Sequence, residues 1–176
     1  MNRLHPVLEE HLRTSQFCSV PGNSIIEAVS IVREAGAHAE VTDTPLCVLT
    51  MDFRESFDRI AQDCLFTILK SCGICPWFIG RMKDLYENAT ASIQINGKLA
   101  GPIPIQCVIR QGFPLSMLLY ALCLHPLLRM LENKLPSIQI GHRARRAAVV
   151  AYADNVTIFV TSPTDFKTIH EAIQIY

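Results

Sequence analysis

Apolar positions along the chain change period several times, and the changes mark its elements. Behind Asn23-Ser24, a capping pair, Ile25, Ile26, Val29, Val32 and Ala35 recur at helical spacing and predict a helix ending near Gly36. The run 46–51 is short, apolar and partly β-branched, hence a strand, and it delivers Asp52 at its C-terminal end. Leu65, Phe66, Ile68 and Leu69 suit a helix over 62–72 stopped by Gly73, and Pro76 opens another reaching Asn88. Residues 90–95 alternate with period two into Asn96-Gly97, a hairpin turn signal, and extended character resumes over 103–109. Pro114 starts a long apolar helix through Leu118, Leu122 and Leu127 to Leu131, with Pro126 expected to kink it. Two β-rich runs, 147–153 and 156–161, are parted by Asp154-Asn155, which predicts a tight hairpin with that polar pair at its tip. Residues 165–176 read as a closing helix. Strands and helices in this order, with hairpins among them, predict an α+β fold built on an antiparallel sheet.

Length and composition narrow the class. A chain of 176 residues with 49% hydrophobic residues is large enough for one well-buried domain and too short for two ordinary ones. Only 18% are charged, below the roughly 25% usual for soluble domains, so a disordered chain is excluded and some face is expected to lack a neighbour. Lys+Arg and Asp+Glu both total 16, so no global positive field marks a nucleic-acid partner, and any such binding must come from local patches. The longest apolar stretch, 113–124, falls short of the roughly 18 to 20 residues of a membrane span, and the N-terminus lacks the apolar core of a secretory signal. An intracellular location, nucleus or cytoplasm, is therefore expected. The seven cysteines should be reduced and mostly packed, as in the apolar runs around Cys47 and Cys123. Cys72-Gly-Ile-Cys75 lacks a second ligand pair for zinc and follows a helix, so helix-end packing is the reading for it too.

Two carboxylates stand out by position: Asp52 at a strand end and Asp154 at a hairpin tip, each flanked by apolar strand residues. Aspartates in such places commonly do no more than form turns or solubilise an edge. Their surroundings carry more information. Residues 46–60 read LCVLTMDFRESFDRI, 109–119 read IRQGFPLSMLL, and 151–156 read AYADNV.

In order and spacing these segments resemble three blocks of reverse transcriptases of the non-LTR retrotransposon type, usually D-x-x-x-A-F-D, R-Q-G-x-P-L-S-P and Y-A-D-D. The stretch Gln16-Phe-Cys-Ser-Val-Pro-Gly-Asn-Ser24 is similar to the family's Q-x-G-F-x-P-G-x-S run, so the resemblance covers nearly the whole chain. It implies a right-hand polymerase palm, an antiparallel sheet with packed helices, plus part of the fingers and no thumb. Residues 1–176 would form one domain fragment, with 1–45 partial fingers and 46–176 mostly palm. The implied activity is RNA-directed DNA synthesis from deoxynucleoside triphosphates on an RNA template with a DNA primer. Such nucleotidyl transfer uses two Mg²⁺ ions about 3.5 to 4 Å apart, for which Mn²⁺ can substitute. Hard ions require oxygen donors converging from separate strands, and by resemblance these are Asp52, Asp154 and the backbone carbonyl of Phe53. Phe57 matches an aromatic gate beneath the incoming sugar, and reads equally well as a core phenylalanine. Gln111 and Gly112 match residues packed against the incoming nucleotide. Arg110 offers a phosphate contact, although a lone arginine is more often solvated. His142, Arg143, Arg145 and Arg146 form a basic cluster suited to a weak hold on template or primer backbone, or to a solvated turn.

The chain also departs from the family. Asn155 stands where the second aspartate of the hairpin is usual, Ser56 replaces an alanine and Met117 a proline. Asparagine fits the same turn but is neutral, so it removes one anionic oxygen from the catalytic set of Asp52, Asp154 and position 155. The alternative expectation is therefore a truncated, catalytically impaired remnant that acts at most as a weak nucleic-acid-binding domain.

Overall fold

A computed structural model describes residue 12 and residues 15–105, 109, 112–113, 115–140 and 145–176. Along the described chain run α1 (Ile25–Val41), β1 (Cys47–Asp52), α2 (Gln62–Ser71), α3 (Pro76–Tyr86) and the hairpin β2 (Thr90–Ile95) with β3 (Lys98–Pro104). Then follow α4 (Ser116–Lys134), β4 (Ile138–Ile140), β5 (Arg145–Ala147), β6 (Val149–Tyr152), β7 (Asn155–Val160) and α5 (Pro163–Ile175). No described helix is long and apolar enough to cross a membrane.

The central sheet has the order β1-β7-β6 with every pair antiparallel, as the sequence pattern predicts. Its alternation assigns each face a partner. Val149, Ala151, Val156, Ile158 and Val160 join the main core with α4, α2, α3 and α5. Val150 and Phe159 point the other way, into a second core with Phe17, Ile140 and the α1 residues Ala28, Ile31 and Ala35. Helix α4 is buried from Leu118 through Leu124 and again at Leu127, Leu128 and Leu131, while Pro126, Arg129, Asn133 and Lys134 are exposed, so its N-terminal half is enclosed and its C-terminal half keeps a polar face.

The boundaries differ from expectation where packing outweighs local preference. Helix α1 passes through Gly36 to Val41: an interior glycine costs only about 1 kcal/mol, and Thr42 closes the end by donating its Oγ1 hydrogen to the His38 carbonyl. Helix α4 runs through the exposed Pro126, as the apolar pattern predicts, and goes on past Leu131 to Lys134. The exposed Cys47, Cys64 and Cys75 do not pack, whereas Cys18 and Cys123 do. In the 72–75 segment it is Ile74 that is buried. Strands β4 and β5 pair antiparallel, so the basic segment ends in a ladder at Arg145 and Arg146 rather than in a turn alone.

The hairpin tip also moves by one residue. Tyr152 pairs with Asn155, so the two-residue loop is Ala153-Asp154, and Asn155 is the first residue of β7. Ala153 sits at φ 55°, a left-handed conformation that a non-glycine residue rarely adopts unheld. Gln16 holds it. That side chain is 1% exposed; its Nε2 donates to the Ala153 carbonyl at 3.2 Å while its Oε1 accepts from the Ala153 amide at 3.1 Å and the Cys18 amide at 3.0 Å. The backbone on either side joins the outer edge of β6, Phe17 donating to the Ala151 carbonyl and Ala151 to the Ser15 carbonyl.

Replacing the Gln16 amide by an apolar side chain leaves several buried backbone groups without partners, each worth about 1–3 kcal/mol. Gln16→Leu should therefore lower unfolding stability by at least about 2 kcal/mol in a denaturant titration. The Ala153 amide should also lose hydrogen-exchange protection out of proportion to that global loss.

Candidate functional site

The strands bring the two block-bearing loops together through their register. Cys47 opposes Val160 and the ladder continues without a break to Asp52 opposite Asn155, so Asp52 lies beside the turn that carries Asp154. Directly opposed antiparallel residues have Cα atoms about 4.5–5.5 Å apart. Asp52 and Asn155 are exposed and Asp154 is half-buried. Among the described residues no cation pairs with either aspartate; the nearby arginines Arg54 and Arg59 both turn to Glu55, at 3.5 and 3.6 Å. Two unpaired carboxylates on neighbouring strand ends make a local negative site that favours a cation.

Beneath Asp154 lies a layer of hydroxyl and aromatic groups. Ser56, buried, donates its Oγ hydrogen to Asp154 Oδ2 at 2.7 Å. Tyr120, on the buried α4, lies close enough to the site that burial first, and then the Asp154 charge, push its pKa up to about 12, so the tyrosine stays protonated at neutral pH. Phe57 stacks on the Tyr120 ring with centroids 4.7 Å apart and planes at 29°. Phe57 thus packs against the core while remaining only half-buried, so both readings of this ring keep a physical basis. Phe53 also borders the core and meets the Tyr176 ring edge-on at 6.2 Å.

The middle block approaches the same place. Ile109, fully buried, donates its amide hydrogen to the Phe57 carbonyl at 2.7 Å, tethering that loop to the one after β1. Gly112 has φ +80°, and among the described residues a Cβ there would meet no atom within 4 Å beyond its chain neighbours. Backbone conformation, not crowding by the protein, is what demands glycine. Arg110 and Gln111 lie outside the described residues, as do His142 and Arg143. Arg145 belongs to β5, and Arg146 spends two donors on Ser137, Nε to Oγ at 3.1 Å and Nη2 to the carbonyl at 2.6 Å. The Cys123 thiol is pushed up to about 12 by burial, in keeping with a packed, unreactive side chain.

Three residues of this arrangement escape a reading of the sequence alone. Gln16 is legible as part of a run but not as the clasp on Ala153. Ser56 is visible only as a departure from alanine, and Tyr120 only as one more apolar position of a long helix.

Comparison with known proteins agrees with this architecture. The chain is 31% identical over 174 residues to the uncharacterized 149 kDa protein of transposon TX1 from Xenopus laevis, covering 99% of this chain and 13% of that protein. It is 23% identical over 165 residues to the retrovirus-related Pol polyprotein from the type-2 retrotransposable element R2DM of Drosophila melanogaster, covering 90% of this chain and 15% of that one. The chain thus spans less than a sixth of either relative. In three dimensions it is similar to apo telomerase from Candida tropicalis truncated from its C-terminal domain, with a TM-score of 0.56, 14% identity, 98% of this chain and 36% of that one. At that identity the likeness speaks for the fold, a polymerase palm-like fragment of mixed helix and sheet. The family model described as reverse transcriptase (RNA-dependent DNA polymerase) matches residues 1–176 in full, and the chain belongs to that family.

Proposed function

We propose that this chain carries the nucleotidyl-transfer site of an RNA-directed DNA polymerase of retrotransposon origin, with 46–176 as palm and 1–45 as partial fingers. The observation that carries the reading is the β1/β7 register, which sets Asp52 opposite Asn155 and beside Asp154. Asp52, Asp154 and the Phe53 carbonyl would hold two Mg²⁺ ions. The donor set fits hard divalent cations in kind, since it offers carboxylate and carbonyl oxygens and no soft ligand. It is lean in number: no group of three or more His, Cys, Asp and Glu able to hold a metal occurs among the described residues.

Bound there, such ions would supply activation of the primer 3′-hydroxyl and neutralisation of charge on the phosphoryl group and its leaving pyrophosphate. The chain's own part is to hold and orient. Asp52 at the end of β1 and Asp154 in the neighbouring β6/β7 turn would offer their carboxylate oxygens. Gly112, with no Cβ and open space before it, leaves its backbone accessible to an incoming deoxynucleoside triphosphate, next to the proposed contacts of Gln111 and Arg110. Phe57, backed by Tyr120, presents a ring that would collide with a ribose 2′-hydroxyl. RNA template and DNA primer would cross this face, with Arg143, Arg145 and Arg146 offering weak backbone contacts.

A second reading is favoured by one observation: position 155, paired directly with Asp52, is neutral. A site with two carboxylates has one fewer charge to balance two divalent ions, which makes the chain an impaired member of the family. Primer extension on an oligo(dT)-primed RNA template, in Mg²⁺ and in Mn²⁺, separates the two. Restoring the third carboxylate with Asn155→Asp should raise extension by roughly 10 to 100-fold, the size typical of changes around a metal site. If neither protein extends a primer while both are folded, the polymerase reading fails for this chain. In whichever protein extends, Phe57→Val should increase ribonucleotide relative to deoxynucleotide incorporation by about tenfold or more in single-nucleotide competition. An unchanged ratio would leave Phe57 a core residue.

A further inference from the structure

Outside the two aspartates, the strongest unassigned cluster is the hydroxyl pair beneath them. Ser56 is 8% and Tyr120 2% exposed, and both carry a polar hydrogen into otherwise apolar surroundings. Burying a hydroxyl is costly unless it is hydrogen-bonded, and Ser56 meets that need at one carboxylate, its Oγ donating to Asp154 Oδ2 at 2.7 Å. A side chain without a hydroxyl at position 56 could not make that contact.

We propose that Ser56 is a positioning residue that fixes the Asp154 carboxylate for cation binding. The inference rests on the metal-binding reading of Asp52 and Asp154. With Oδ2 held by Ser56 at 2.7 Å, rotation of the carboxylate is restricted. Ser56 is next in sequence to Phe57, whose ring Tyr120 backs at 4.7 Å, so the carboxylate anchor and the proposed sugar gate share one short segment.

Mn²⁺ alone is the probe, and its binding to the folded chain, followed by loss of the free-ion electron paramagnetic resonance signal, needs no catalytic turnover. Ser56→Ala should weaken binding about 10 to 100-fold, as loss of a partner of a metal ligand typically does. Ser56→Thr should keep binding within about threefold of the native chain. Tyr120→Phe, which preserves the stack and removes only its hydroxyl, should leave binding unchanged. Melting temperatures measured on the same samples separate positioning from folding: a merely structural role predicts a lower melting temperature with unchanged affinity. Asp154→Asn is the reference. If it abolishes binding while Ser56→Ala binds as the native chain does, or more tightly, the positioning role is overturned and the metal site stands. If Asp154→Asn leaves Mn²⁺ binding intact, the metal-site reading falls and this inference with it.

Discussion

The antiparallel register between β1 and β7 is the constraint on which the rest of the site depends. A slip of one residue would turn every side chain of β1 to the opposite face, sending Leu49 and Met51 out of the core and removing Asp52 from the Asp154 turn. Burial makes that slip costly. Val156, Ile158 and Val160 on one face of β7 and Phe159 on the other are each enclosed, so the sheet is anchored from both sides and the carboxylates inherit its precision. A polar site at the end of strands is accurate because the apolar parts of those strands are not free to move.

Two further elements hold the loops that the strands deliver. Helix α4, enclosed through its N-terminal half, supplies the floor against which the sheet, α2 and α5 pack, and its Tyr120 stacks on Phe57. Gln16 works from the far edge of the sheet, satisfying both the donor and the acceptor of Ala153 and so stabilising a left-handed residue next to Asp154. The N-terminal segment thus contributes to the site without supplying a reacting group. The same economy recurs at Ile109, whose backbone bond to Phe57 joins the middle block to the loop after β1.

Two of the three departures from the family, at 56 and 155, lie around one aspartate. Asn155 removes a negative charge beside Asp52, and Ser56 adds a hydrogen-bond donor to Asp154. Both changes lower the electron density available to a cation, while the second also increases order. Whether order offsets lost charge is a question of chemistry at a single turn, since neither substitution disturbs the pairing of β1, β7 and β6 around it.

The alternation of Val149 to Ala151 and Val156 to Val160, the apolar length of α4 and the Asn96-Gly97 turn are local signals, and each made its element legible in the sequence because short-range sterics and burial periodicity act residue by residue. Asp52 and Asp154 were legible too, through the blocks around them. Other features were not. The exact hairpin tip and the β4/β5 ladder turn on pairings that propensity does not specify, and the clasp of Gln16 on Ala153 joins residues 137 apart in sequence. Ser56 and Tyr120 make the point most clearly. Each is unremarkable in its own segment, and they acquire a role only because folding sets Ser56 against Asp154, 98 residues away, and the Tyr120 ring against Phe57.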